Sequence, residues 1–326
     1  MPETFSSDVL TTLVSQQLGE AARSLQFARV TTGKHNTSYW VKSNLGHFIL
    51  RIAPPDDIGL LFYERLMMRQ EPALHQLLQE HTSVPVADIV AYDFDRHLID
   101  RDYVLLEVLS GQPLSEITHF SHTDYDRVLE QVGGYLQQIH RLTADVHIAE
   151  GKYGYLGAHR PMVPQPTWGK AFAMMWNALL DDVVACGGYD TVIVDALRDL
   201  LVYHQTCFGR SVEPRLLHMD VWSQNILVDA AGNVTGLVDF DRALWGDVEI
   251  EFAVLDYCGI SEPSFWQGYG SPRDESPAAI IRRQFYLLYE ILKYIPISIW
   301  RRQDQARADS YKQYAIRLIQ PLLNTK

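Results

Sequence analysis

Asp220, Asn225 and Asp239 are the residues of this sequence best placed to do chemistry. They stand in residues 216–252, LLHMDVWSQNILVDAAGNVTGLVDFDRALWGDVEIEF, with His218 two before Asp220 and Asp241 two after Asp239. An amide oxygen and a carboxylate are hard ligands and suit a divalent ion such as Mg²⁺. A further carboxylate can orient a hydroxyl and take its proton. Together these parts serve phosphoryl transfer, in which catalysis is mostly positioning and charge neutralisation. Any one of them alone reads as a turn residue or a helix cap. The set is informative because a strand–turn–strand, Ile226–Val228 and Val234–Val238 around Ala230-Ala231-Gly232-Asn233, delivers Asp239.

Earlier segments must position these groups. Val9, Leu10, Leu13, Val14 and Leu18 form one stripe of a helix over 7–24. Segments 25–30, 39–42 and 47–52 are strand-like and joined by short turns, an antiparallel meander that ends at Pro54-Pro55. A helix follows over roughly 61–80, then strands over 84–92 and 103–109. Ser110-Gly111-Gln112-Pro113 breaks the chain and marks the expected lobe boundary: residues 1–110 form one lobe and residues 111–326 the other. Beyond the break helices dominate, over 123–142 with a Thr123/Asp126 start signal, 169–185, 191–208, 276–296 and 303–323. The expected class is α+β, five antiparallel strands with a helix followed by a mainly helical lobe.

The 326 residues are 47% apolar and 21% charged, which predicts packed cores and excludes general disorder. A net charge of −12, with both halves acidic, argues against nucleic acid or anionic membrane as a partner. Three widely spaced cysteines, Cys186, Cys207 and Cys258, form no CxxC pair, so neither a disulfide framework nor a zinc site is expected. The first residues show no secretory signal, and no apolar run reaches membrane-spanning length. The expected setting is the cytoplasm.

Residues 216–252 resemble the aminoglycoside phosphotransferase family, small-molecule kinases with a protein-kinase-like fold. The family shows His-Gly-Asp, an Asn five residues on, then Ile-Asp-Phe and Gly-Asp-Pro; here these are His218-Met219-Asp220, Asn225, Val238-Asp239-Phe240 and Gly246-Asp247-Val248. Met219 stands for the usual Gly, Val248 for Pro, and Glu251 where Asp is common. Trp222-Ser223 resembles the Leu-Trp-Ser-Gly-Asn run of fructosamine kinases over those residues only. The likeness covers roughly residues 25–260.

The resemblance implies a two-lobed fold with ATP in the cleft, Asp220 as base, and Mg²⁺ held by Asn225 and Asp239. It implies a phosphate-covering turn at Gly33, Asn36 and Thr37, although a hairpin turn alone would also explain these residues. Arg51 stands for the β3 lysine, and its helix partner is Glu71 by the family's pattern, with Glu64 as the alternative. Backbone groups of Glu107 and Leu109 would meet adenine. His218 would brace the catalytic loop, Asp247 would tie it to the next helix, and Asp241 would either face the metal or cap a helix.

The resemblance implies a small-molecule hydroxyl as acceptor. Asp181, Asp182, Glu249, Glu251, Asp256, Glu262 and Asp274, with Trp176, Tyr257, Trp266 and Tyr269, could line a pocket for an amino sugar or amino alcohol, although a solvated surface and core packing explain such residues more often. A protein kinase and a non-catalytic nucleotide-binding module are the other two classes. No A-P-E element follows Asp239, and the complete acid–amide–acid set argues against the module.

Overall fold

The computed structural model describes residues 4–19, 21–33, 35–56, 59–147 and 152–324. Helix α1 (Ser7–Leu18) starts where the Ser6 hydroxyl accepts the Val9 amide, 3.3 Å, and buries Leu10, Leu13 and Val14. The sheet contains β1 (Gln26–Val30), β2 (Thr37–Ser43), β3 (Gly46–Ile52), β4 (Ile89–Asp93) and β5 (Tyr103–Glu107), all antiparallel, in the order β1-β2-β3-β5-β4. The two-residue period of β3 sends Phe48, Leu50 and Ile52 to the buried face under α1. Arg51, between Leu50 and Ile52, therefore points to the other face, where helix α2 (Glu71–His81) lies.

Several boundaries differ from expectation. The helix expected over 7–24 ends at Leu18, where Gly19 takes φ 72° and stops it. The helix expected over 61–80 begins at Glu71, preceded by a 3₁₀ turn, Met67–Gln70, with Leu66 at φ 60°. Pro72 fits only the first turn of a helix, because it lacks an N–H. Glu64 is thus not on the helix. The strand expected over 84–92 runs instead from Ile89 to Asp93. Val84 and Val86 are buried in the helical half, and the Pro85 carbonyl accepts the Leu237 amide, 2.8 Å, outside the sheet.

After the short β6 (Gln112–Pro113), helix α3 (His122–Ile139) buries Val128, Val132, Leu136 and Ile139. Its capping box is Ser121/Asp124 rather than Thr123/Asp126, since Ser121 is the extended residue whose hydroxyl meets the Asp124 amide. Then come α4 (Ala144–His147), α5 (Trp168–Ala185) and α6 (Thr191–Tyr203). Strands β7 (Arg215–Leu217), β8 (Ile226–Val228), β9 (Val234–Leu237) and β10 (Leu244–Gly246) follow. The β8–β9 hairpin pairs with β6, and β7 pairs with β10. The chain ends with α7 (Val248–Cys258), α8 (Pro263–Tyr269), α9 (Pro277–Leu292), α10 (Tyr294–Pro296), a π-helical turn (Ile297–Arg301) and α11 (Gln305–Asn324).

One apolar core gathers α5, α6, α9 and α11, and a second gathers α3, α8 and the hairpin. Among the described residues no helix is long and apolar enough to cross a membrane.

Candidate active site

The β7 strand leads straight into His218-Met219-Asp220. The buried Glu251 carboxylate, on α7, accepts the His218 amide (2.9 Å), the Met219 amide (2.7 Å) and His140 Nε2 (2.9 Å). Burial pushes Glu251 up, but His140 and the loop amide hold its carboxyl below the usual range. It pins the loop backbone in place. Glu251→Gln puts an amide NH₂ against donors and is expected to cost about 3–5 kcal/mol of stability, read from urea unfolding. Wild-type stability would show that the loop holds itself.

Met219 adopts φ 66°, the left-handed region, with its side chain fully buried. The family's glycine at this position is therefore a backbone requirement that methionine meets with strain. Met219→Gly relieves about 1–2 kcal/mol of that strain but deletes a core side chain worth about 2–5 kcal/mol. A net loss of about 1–3 kcal/mol is expected, and a gain on unfolding would show that the strain dominates.

Both Asp220 oxygens are held. Arg242 Nη1 donates to Oδ1 (3.0 Å) and Asn225 Nδ2 to Oδ2 (3.0 Å). Asn225 Nδ2 also reaches the Asp220 carbonyl (2.9 Å), which leaves its Oδ1 as the atom able to ligate a cation. The Asn225 carbonyl accepts the Val238 amide (3.1 Å), tying this loop to the residue before Asp239. His218 Nε2 meets the Val238 carbonyl at 3.1 Å, and its ring lies 4.2 Å from Phe240. His218 is thus a brace between the two loops. Asp247 caps α7 through the Glu249 amide (3.2 Å) and accepts two bonds from Arg210 (2.9 and 2.7 Å).

Asp239, at φ 71°, accepts Arg51 Nη2 at 2.6 Å. Arg51 Nη1 donates to Glu71 at 2.7 Å, and Asp241 Oδ2 lies 3.4 Å from Nη2. Glu71 is the Arg51 partner, while Glu64 pairs with Arg301 at 2.9 Å. Ligand atoms of Glu71, Asp239 and Asp241 all lie within 4.8 Å of one another. Burial pushes Glu71 up to about 7 against the pull of Arg51. Burial and the Asp239 charge push Asp241 well up, whereas for Asp239 burial is outweighed by Arg51 together with a hydrogen bond to Asp241. Three carboxylates crowd one guanidinium, and the raised Glu71 and Asp241 carboxyls reflect how that crowding disfavours further negative charge; a hard cation would favour their ionised forms.

Asn36 Nδ2 reaches Asp241 at 3.3 Å, so the turn folds over this cluster. Gly33 is exposed at the start of the turn, Thr37 opens β2 opposite Ile52, and Lys34 lies outside the described residues. The Glu107 amide is used within the sheet region, donating to the Asp88 carbonyl (3.0 Å). Leu109 packs in an apolar cluster with Met68, Ala87, Val104 and Leu106 and lies close to Gly236 of the hairpin.

Most residues expected to line an acceptor pocket do something else. Glu249 is forked by Arg282 (2.7 and 2.9 Å), Asp256 by Arg273 (2.8 and 2.6 Å), and Glu251 holds the His218–Asp220 loop. Asp182 accepts the Phe62 amide (2.9 Å), Asp181 pairs with Arg198, Trp176 is core, and the Tyr269 hydroxyl meets His140. The sequence reading missed Arg242, which bridges Asp220 and the buried Glu290 (3.2 Å). It also missed Gln70, whose amide holds the Asp241 and Ala243 carbonyls (2.5 and 3.1 Å). The available signal was an arginine set between Asp241 and the apolar run Ala243-Leu244-Trp245, where a cation needs a buried partner.

The model of the phosphotransferase enzyme family matches residues 26–285. A probable ketoamine kinase from Vibrio parahaemolyticus is 25% identical over 287 residues, covering 86% of this chain and 91% of its own. A probable ketoamine kinase from Escherichia coli K12 is 27% identical over 225 residues, 67% of this chain and 70% of its own. An aminoglycoside phosphotransferase solved with GDP and kanamycin superposes with a TM-score of 0.66 at 17% identity, over 95% of this chain and 97% of its own. A thermostable mutant of another, with AMP-PNP and hygromycin B, gives 0.67 at 15% identity, over 95% and 98%. These likenesses confirm the protein-kinase-like fold, and the extent of the family match makes the chain a member of the phosphotransferase enzyme family.

Proposed function

We propose that this phosphotransferase moves the γ-phosphoryl group of ATP, with Mg²⁺, to a hydroxyl of a ketoamine, an amino-sugar derivative, in the cytoplasm. The single observation that carries this reading is the joining of Asp220, Asn225 and Asp239, with Arg51 of the central strand β3 and Glu71 alongside. The nucleotide lies between residues 1–110 and 111–326, with adenine against the Glu107 and Leu109 backbone. Gly33, Asn36 and Thr37 cover its phosphates. Arg51, held by Glu71, forks to the α- and β-phosphate oxygens.

Asn225 Oδ1 and Asp239 would hold Mg²⁺: both offer hard oxygen donors that fit that ion, and the Glu71 and Asp241 carboxylates lie close to Asp239. When bound, the metal neutralises charge on the phosphates. Asp220, fixed by Arg242 and Asn225, orients the acceptor hydroxyl and takes its proton as the phosphoryl group arrives.

The acceptor class follows the names of the curated relatives. The three half-buried free cysteines suit a reducing compartment of this kind. The test is phosphorylation by ATP or GTP across four acceptor arms: fructosyl amines, amino alcohols, aminoglycosides and peptides. Turnover on fructosyl amines is expected. Preference for aminoglycosides would overturn the acceptor, and turnover on peptides alone would overturn the small-molecule reading.

A further inference from the structure

Three segments distant in sequence meet beside the phosphate-covering turn. The turn supplies His35. The stretch from Gly59 to Leu66, between β3 and α2, supplies Tyr63 and Glu64. The π-helical turn after α10 supplies Trp300 and Arg301. Such turns insert a residue into a helix and redirect a side chain. Arg301 Nη1 donates to His35 Nδ1 at 2.9 Å, and Nη2 donates to Glu64 Oε1 at 2.9 Å. The other Glu64 oxygen accepts the Leu61 amide, 2.7 Å, so this carboxylate is buried and held from both sides. The approach is tight: a Cβ on Gly59 would lie 2.2 Å from the Trp300 Cβ, so only glycine lets the two segments touch.

Two consequences follow. A guanidinium can only donate, so His35 Nδ1 must be the unprotonated nitrogen and Nε2 carries the ring's N–H. Burial, with Arg301 contributing, also favours the neutral ring over the opposing pull of the Glu64 carboxylate. On its far side the same stretch sets the Tyr63 ring 5.6 Å from the Arg242 guanidinium, and Arg242 holds Asp220. A continuous set of contacts therefore runs from the turn to the catalytic loop: His35, Arg301, Glu64, Tyr63, Arg242, Asp220.

We infer that Arg301, from the far end of the helical region, is a positioning residue for phosphoryl transfer. It fixes His35 in the Nε2–H form as a donor to the phosphate oxygens and links the phosphate-covering turn to the segment that braces Asp220. The inference rests on the nucleotide site proposed above. It adds a contribution to that site from the segment after α10, outside the span matched by the family.

The test measures ADP release with Mg²⁺ and varied ATP, with and without a fructosyl amine, alongside urea unfolding and binding of a fluorescent ATP analogue. Arg301→Gln is expected to lower kcat/KM for ATP by about 10–100-fold. Arg301→Lys keeps a cation for Glu64 but cannot fork to two partners. It is expected to restore stability without restoring kcat/KM, a split that a purely structural role would not produce. His35→Ala should match Arg301→Gln in kcat/KM, and the double variant should be no worse than either alone.

Where Arg301→Gln folds poorly, Arg301→Gln/Glu64→Gln leaves no lone buried charge and carries the same kinetic expectation. Wild-type kcat/KM in Arg301→Lys, or additive losses in the double variant with His35, would overturn the inference while leaving the nucleotide site intact. Absence of ATP-analogue binding by the unmodified protein would overturn the nucleotide site itself, and this inference with it.

Discussion

Asp220→Asn is expected to lower kcat by about 10²–10⁴, the range for losing a positioned general base, with KM for ATP close to wild type. In the folded protein the carboxylate accepts one bond at each oxygen, from Arg242 and from Asn225. Each oxygen keeps a lone pair for a hydroxyl, and the two donors fix which way the carboxylate faces. An asparagine offers one acceptor where the site needs two, so one neighbour meets a donor instead. That mismatch costs about 1–3 kcal/mol of stability, too little to unfold a domain of ordinary stability. Loss of the proton acceptor acts on the chemical step, so single-turnover phosphoryl transfer is the measurement that decides. A mutant whose single-turnover rate equals that of the wild type would remove Asp220 from the role of base, whatever its steady-state kcat.

The parts of this site that were legible in the sequence lie close together along the chain. Asp220 and Asn225 share a loop, and Asp239 follows a hairpin whose turn residues mark it, so local spacing carries the geometry. Arg51 was legible because it falls on the third strand, where the family resemblance puts a lysine, and the two-residue period of that strand does set it on the face opposite Leu50. The choice between Glu64 and Glu71 was not, because periodicity alone ran one helix through a stretch that Leu66 and Pro72 divide.

The pairings of Arg242 and Arg301 were out of reach for a different reason. The partners lie 22, 48, 237 and 266 residues away, and a local pattern can show that a cation needs a partner but not which residue it is. The acidic positions expected to form an acceptor surface failed in the same way. Glu249 and Asp256 read as free charges until Arg282 and Arg273 arrive from later segments. Long-range ion pairing hid both the supports of the base and the true character of its surroundings.

Asp239→Asn is expected to lower kcat/KM for Mg·ATP by about 10²–10³, since a lost anionic metal ligand removes several kcal/mol of stabilisation. Glu71, Asp239 and Asp241 crowd within 4.8 Å around one guanidinium. Of the three, Asp239 has the carboxyl drawn below its ordinary range, by Arg51, so it is the member that presents a full negative charge to a cation. Asp241, pushed well up by burial and by Asp239, cannot replace it without first losing a proton. The amide variant keeps the size of Asp239 and one acceptor for Arg51, so its own unfolding stability should change far less than its activity. Ligand-linked stability gives the cleaner reading. At 100 times the dissociation constant, Mg²⁺ with a non-hydrolysable ATP analogue should stabilise the wild type by about 2.7 kcal/mol. A hundredfold weaker site gains only about 0.4 kcal/mol at the same concentration. Equal stabilisation of the two proteins, with Mg²⁺-dependent turnover retained, would place the metal on other ligands.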